Sequence, residues 1–246
     1  MGRMNLQHTY DALAGVVRQP IVLVCPPDEA KEHKRLGREV WPCKEKGISA
    51  TRQWIMRNSK DRYVVMMDDD LTFYRRRKDD PTKFHSCTDS DKRTMLRKLN
   101  GLLKVYAHVG VAMREGANRN TTPVMECTRC ARVIGYDREI FFKEGVDFRN
   151  STVMDDFEAT LALITRGYPN GVLNSFVQNQ RGSGTSGGAA MYRTLEIHAA
   201  AAHTLAARYP EFVTPVQKTT KTAWGGATRT DVRVQWKKAL QKALAK

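Results

Sequence analysis

One short apolar run ends abruptly in acid: Tyr63-Val64-Val65-Met66-Met67-Asp68-Asp69-Asp70. A continuous apolar run of this length is the pattern of a strand covered on both faces in a parallel sheet. Open α/β sheets collect ligands at the carboxyl ends of such strands, so Asp68, Asp69 and Asp70 are expected at the mouth of a crevice. Adjacent negative charges are unfavourable unless a cation or basic ligand offsets them. Hard divalent cations choose oxygen ligands, and Mg²⁺ is usually held by one or two carboxylates plus the phosphates of a substrate. A nucleotide diphosphate fits such a place. The plainer alternative is three acids that end a strand and open a solvated turn. A basic run, Arg75-Arg76-Arg77-Lys78, follows within a few residues.

The order of elements around this run predicts the fold class. Pro20–Cys25 reads as a first strand, stopped by Pro26-Pro27. A helix from Glu29 to about Leu36, capped by Asp28 and closed at Gly37, leads to a short strand candidate over Arg38–Pro42. A second helix, with Ser49 as its cap, runs into the Tyr63 strand. Strand and helix alternating in this way predict an α/β fold of Rossmann type, with a mostly parallel sheet and helices on both faces. Arg52 lies on the second helix, either facing a bound nucleotide or solvated. Residues 75–92 are polar and read as a loop. The spacing of Met95, Leu99, Leu102, Leu103 and Tyr106 predicts a helix over roughly Ser90–His108.

Gly110–Met113 resumes the sheet, and Cys127–Phe142 reads as strands or a hairpin. Gly171–Val177 is another strand, Arg181–Gly188 a mobile loop, and Ala189 to about Arg208 a helix carrying His198 and His203, candidate metal ligands with no distinctive context. At 246 residues and 41% apolar composition the chain can bury a sizeable core. We expect one domain over residues 1–214, with a basic C-terminal extension, 215–246, packing on it. In that extension Val232, Trp236, Leu240 and Leu244 recur at helical spacing.

Forty-one Lys and Arg against 26 Asp and Glu give a formal charge of +15, which draws a chain toward polyanions, nucleic acid being the commonest. Arg75, Arg76, Arg77, Lys78, Arg233, Lys237 and Lys238 are the candidate phosphate contacts. No stretch approaches the ~18 apolar residues that span a bilayer, and no signal-peptide layout opens the chain, so a soluble, cytoplasmic protein with no membrane partner is expected. Five cysteines make no even disulfide framework and suit a reducing compartment. Cys127 and Cys130 have zinc-ligand spacing, which His85 and Cys87 would complete.

A second acidic cluster, Asp155-Asp156-Phe157-Glu158, opens a helix whose apolar face is Phe157, Leu161 and Ile164 and which closes at Gly167-Tyr168. Acids in a first turn are favoured by the helix dipole with no further role. A strand ending in Asp68-Asp69-Asp70 followed by this cluster nevertheless resembles a GT-A glycosyltransferase over roughly residues 20 to 180. The first cluster then matches the DxD motif and the second the family's acidic pair.

That resemblance implies that Asp68 and Asp70 hold Mn²⁺ or Mg²⁺ on the diphosphate of a nucleotide-sugar, a UDP-sugar, with Asp69 and Arg52 beside it. It makes Asp156 the general base for the acceptor hydroxyl, with Asp155 and Glu158 positioning metal, sugar or acceptor, and it favours inversion. The compact, basic chain is further similar to the TET/JBP-associated glycosyltransferases of bacteriophages, which implies a 5-hydroxymethylpyrimidine in DNA, 5-hydroxymethylcytosine foremost, as acceptor and the host cytoplasm as location. Glycosyl transfer to a glycan, lipid or protein keeps both clusters and leaves the basic tail incidental. Metal-dependent nucleotidyl transfer and non-enzymatic nucleic-acid binding are the two readings outside this class.

Overall fold

In a computed structural model of the chain, residues 7–180, 194–219 and 226–245 are described. The first elements are α1 (His8–Leu13), β1 (Leu23–Cys25), α2 (Pro27–Arg35), β2 (Val40–Pro42), α3 (Ile48–Asn58) and β3 (Tyr63–Met67). After the three aspartates come β4 (Leu71–Arg76), β5 (Phe84–Ser86), α4 (Asp89–Leu103), β6 (His108–Met113), β7 (Val124–Glu126) and β8 (Val133–Asp137). They are followed by α5 (Arg138–Lys143), α6 (Asp155–Ile164) and β9 (Asn170–Gln180), and then by α7 (Leu195–Arg208), β10 (Val213–Thr219), β11 (Thr228–Val234) and α8 (Trp236–Leu244). The expected loop over Arg181–Gly188 lies outside the described residues.

Local chemistry explains where several of these elements begin. Pro27 occupies the first turn of α2, where its missing N–H costs nothing, so Asp28 lies inside the helix and not at its cap. Gly47, at φ 88°, turns the chain into α3, and Ser49 donates its hydroxyl to the carbonyl of Thr152 at 3.0 Å in place of capping. Thr88 and Asp91 form a reciprocal capping box at the start of α4. That helix stops at Leu103, and His108 begins the next strand. Asp137 accepts from the N–H groups of Glu139 and Ile140, so the stretch expected to be strands or a hairpin is β8 followed by a short helix. The polar stretch after residue 75 holds the end of β4 and all of β5.

Seven strands form the central sheet in the order β3-β8-β6-β9-β4-β5, with β7 also paired to β9. Within it β6 and β9 run parallel, and the other pairings are antiparallel. β1 and β2 form a separate parallel pair. The result is an α/β fold with a mixed sheet, compatible with a Rossmann-like GT-A fold. Parallel neighbours need a crossover, which α2 provides between β1 and β2, whereas β4 and β5 are joined by a short turn and pair antiparallel.

Helices cover both faces. On one, Leu13 of α1 and Met95, Leu99 and Leu103 of α4 pack on Phe73, Val109, Val111 and Val133. On the other, Met56 of α3, Phe141 of α5 and Ala159 and Leu163 of α6 pack on Val64, Met66, Ile134 and Val172. β3 is an edge strand, and its central Val65 is 36% exposed, so it is not covered on both faces as its unbroken apolar run suggested. Beyond the sheet, α7, β10, β11 and α8 lay Ala202, Leu205, Phe212, Val213, Val232 and Ala239 against Phe157, Leu161 and Ile164 of α6. The C-terminal region is therefore a strand pair and two helices seated on the helix that carries the second acidic cluster, and β10 runs across residues 214 and 215.

Candidate active site

The three aspartates form the turn between β3 and β4, and a residue far away in sequence holds that turn. Thr9 of α1 donates its hydroxyl to the carbonyl of Asp68 at 2.5 Å and its N–H to the carbonyl of Asp69 at 3.0 Å, and its hydroxyl accepts from the N–H of Leu71 at 2.9 Å. The N–H of Asp68 donates to the carbonyl of Arg132 at 2.9 Å, which ties the turn to the start of β8. Asp70 is buried, and its Oδ2 accepts from Gln180 Nε2 at 2.9 Å at the end of β9. Backbone bonds hold the turn, so the carboxylates need not stabilise it themselves.

Arg52 joins the two acidic clusters. Its Nη2 donates to Asp68 Oδ1 at 3.0 Å and its Nη1 to Asp155 Oδ2 at 2.8 Å, and only 8% of its side chain is exposed. The N-terminus of α3 reaches this place because Ser49 is bound to Thr152, just ahead of α6. Burial opposes the charge on Arg52, but Asp155, Asp68 and Asp156 outweigh it and hold its pKa above the ordinary value. Burial raises the carboxyl of Asp68, Arg52 works against that, and Asp70, Asp69 and Asp155 add to it. Asp155 is raised in the same way, chiefly by burial.

Asp156 has its own arginine. Both Nε and Nη2 of Arg129 lie 2.8 Å from Asp156 Oδ2, and the guanidinium carbon of Arg129 sits 4.1 Å from the centre of the Phe157 ring. Phe157 in turn stacks on Trp236 at the start of α8, with ring centres 5.9 Å apart. The segment bearing Arg129 is fixed at both ends by left-handed residues, Cys127 at φ 49° and Arg132 at φ 65°. Asn170 clamps its middle, accepting from the N–H of Thr128 at 3.1 Å and donating to its carbonyl at 2.6 Å. Gly110 lets the segment lie close to β6, because a Cβ there would stand 2.9 Å from Cys130 Sγ. Five carboxylates, Asp68, Asp69, Asp70, Asp155 and Asp156, thus share this mouth with two guanidinium groups.

The remaining expected site residues are dispersed. Glu158 turns away from the mouth, accepting from Tyr209 Oη at 3.0 Å and from Arg208 Nη1 at 2.8 Å, so it fastens α7 to α6. Arg75 pairs with Asp91 at 2.6 Å and Arg77 with Asp79 at 2.5 Å, while Lys78 is exposed. Arg76 is buried and donates to the carbonyls of Pro81, Asn174, Ala117 and Asn120, which makes it a structural hub. Arg233, Lys237 and Lys238 are exposed on β11 and α8, with Lys238 Nζ 3.3 Å from the carbonyl of Glu211. His198 Nδ1 meets the carbonyl of Thr230 at 2.7 Å.

Asp68 and Asp70 present hard oxygen donors at a strand end. Among the described residues no three His, Cys, Asp or Glu side chains converge as a metal cage, at this turn or around Cys127 and Cys130. A Mn²⁺ or Mg²⁺ ion held by one or two carboxylates takes its remaining ligands from phosphate oxygens and water. The donor set at the turn fits that mode. Burial pushes the thiols of Cys127 and Cys130 up, toward the protonated form.

Sequence reading missed Thr9, Arg129 and Gln180. Thr9 sits in a stretch with little pattern, and Arg129 lies inside a Cys-X-X-Cys spacing that points to zinc. Only chain reversal brings either to the acids.

The mixed α/β fold, compatible with a Rossmann-like GT-A fold, joins two acidic clusters across one mouth. The model of the TET-Associated Glycosyltransferase family matches residues 1–188, and the chain belongs to that family. It is therefore a glycosyltransferase, and its family implies a nucleotide-sugar donor and modified bases of DNA as acceptor. No curated protein matches the chain. Among the described residues no helix is long and apolar enough to cross a membrane.

Proposed function

We propose that the protein moves a sugar from a UDP-sugar to the hydroxymethyl group of a 5-hydroxymethylpyrimidine in DNA, 5-hydroxymethylcytosine foremost, with inversion at the anomeric carbon. The observation that supports this reading is Arg52, which bonds Asp68 and Asp155 at once and so joins the first acidic cluster to the second, where Asp156 adjoins Asp155. Asp68 and Asp70 are the residues that would hold Mn²⁺ or Mg²⁺, with Asp69 adjoining. The cation, when bound, supplies positive charge to the departing diphosphate.

Asp156 accepts the proton of the acceptor hydroxyl. Arg129 engages Oδ2 of that carboxylate, and Oδ1 is the oxygen assigned to the proton. Asp155 positions Arg52, and Arg52 offsets the excess negative charge as the donor's phosphates arrive. The target base leaves the duplex stack to reach Asp156. Exposed Arg233, Lys237 and Lys238 flank Trp236, which stacks on Phe157 of α6, and they meet the phosphates of the acceptor.

The test is incubation with a panel of UDP-sugars and Mn²⁺, using 5-hydroxymethylcytosine DNA or unmodified DNA, with the product nucleosides read by mass. A hexose-sized or related gain on the modified base alone, absent in Asp68→Ala, is the expected result. Nucleoside diphosphate release that ignores DNA would keep the donor chemistry and overturn the acceptor. Pyrophosphate release or strand cleavage would overturn glycosyl transfer itself.

A further inference from the structure

The geometry points to a second phosphate site at the far end of β4, one that grips the backbone of the acceptor duplex. This rests on DNA being the acceptor, but it concerns a different surface from the mouth.

A cleft of about 320 Å³ opens there, lined by Arg75, Arg76, Lys78, Lys98, Ser175 and Phe176 among others. Its charge is what singles it out. Arg76 is buried at 8% exposure, and every hydrogen-bond acceptor it has is neutral: Asn174 Oδ1 at 2.9 Å, the carbonyls of Ala117, Asn120 and Asn174 at 3.0 to 3.1 Å, and the carbonyl of Pro81. Neutral carbonyls satisfy the N–H groups and leave the net charge uncompensated, which a buried cation tolerates poorly. On the rim, Lys78 and Lys98 are exposed, and neither has a carboxylate partner among the described residues. Arg75 and Arg77 each share their charge with a single aspartate. Ser175 lines the cleft, and its buried Oγ has no hydrogen-bond partner in the structure. Three uncompensated cations and a spare hydroxyl define a site for a phosphate.

A phosphodiester backbone suits the cleft better than a small anion, because the two lysines stand on its open rim and do not enclose it. Lysine, arginine and hydroxyl groups bind phosphates without reading bases, so the site adds affinity and leaves sequence preference weak. Its place sets the footprint. Arg75 and Arg76 stand five and six residues along an extended strand from Asp70, which at about 3.4 Å per residue is roughly 17–20 Å. Duplex DNA rises about 3.4 Å per base pair, so for a duplex lying along β4 this span corresponds to about 5–6 base pairs.

The test uses the full chain and Lys78→Glu/Lys98→Glu, with Lys78→Gln/Lys98→Gln as a milder pair and a melting curve for each. Binding of a labelled, unmodified duplex is followed by fluorescence anisotropy across a salt series. Transfer is compared on modified duplexes with roughly 3 or roughly 12 base pairs either side of the target, lengths set by the helical rise. The charge-reversed pair is expected to bind at least ~10-fold more weakly, with a salt slope smaller by about 2, one for each phosphate that the two lysines no longer neutralise. The preference of the wild-type enzyme for the long duplex in kcat/KM should shrink toward unity in the variant. Wild-type affinity and slope in the variant would overturn the site. So would loss of tripolyphosphate-induced thermal stabilisation with duplex binding intact, which would assign the cleft to a free anion. Failure of the wild-type enzyme to modify DNA would overturn the acceptor reading separately, since the binding series does not depend on transfer.

Discussion

The two ends of β4 bury charge in opposite ways. At its start, the acids around Asp70 are met by opposite charges, Arg52 between Asp68 and Asp155 and Arg129 on Asp156. At its end, Arg76 is held by carbonyls from two loops and from β9. A charge balanced by charge can exchange its partner, and an incoming diphosphate can take over the arginines. A cation locked in carbonyls is architecture, and only the charge that spills from it can act. The mouth is therefore adjustable and the far end rigid.

The largest expected effect tests whether the mouth is reactive. Asp156→Asn removes the proton acceptor and keeps the shape, so kcat should fall by about 10²–10⁴-fold, with donor affinity little changed, in steady-state transfer assays. A variant within threefold of wild type would remove Asp156 from the chemistry. Asp70→Asn should lower Mn²⁺-supported transfer by about 10²-fold, a loss of about 3 kcal/mol of transition-state stabilisation, and should shift the Mn²⁺ titration to higher concentration.

The contrast between exchangeable and locked charge is sharpened by two arginine variants. Arg52→Met leaves Asp155 and Asp68 uncompensated and should cost about 3–5 kcal/mol near neutral pH in urea unfolding. That cost should shrink as the pH falls, because both carboxyls already titrate above the ordinary range and protonation removes the stranded charge. Arg76→Met strands carbonyls that do not titrate, so its cost should hold constant over the same pH span. Parallel pH profiles for the two variants would break the comparison.

The same shifts bear on the native enzyme. A raised folded pKa means that the charged form is the disfavoured one, so Asp68 and Asp155 subtract stability as the pH rises through their folded values. Mn²⁺ should restore melting temperature above that point and have little effect below it. The acid limb of kcat/KM should correspondingly lie above the range of an ordinary aspartate. The smallest effect concerns the clamp on the turn: Thr9→Val loses hydroxyl bonds to Asp68 and Leu71 and should cost about 1–2 kcal/mol, with weaker Mn²⁺ activation.

Much of this was legible in the residues alone. An apolar run ending in three aspartates, and an apolar helix face following two more, define strand and helix by local pattern, and both stand where the pattern places them. The charge of +15 drew attention to polyanions without regard to fold. The pairing of strands was less legible, since an apolar run reports burial and not direction, and β3 proved to be an edge strand. Arg76 shows the limit most clearly. In the run Arg75-Arg76-Arg77-Lys78 the four side chains are chemically alike, yet strand alternation turns Arg76 inward among carbonyls and leaves its neighbours on the surface.

The sequence by itself determined the elements that carry acid, the α/β class they belong to and the resemblance to a DNA-modifying glycosyltransferase, because these follow from short-range periodicity and motif order. Only the tertiary structure decided which cation answers which carboxylate. Arg52 meets Asp155 across 103 residues, Thr9 meets Asp68 across 59 and Arg129 meets Asp156 across 27. Contacts at such separations are set by how the sheet and helices pack, and no local pattern encodes them.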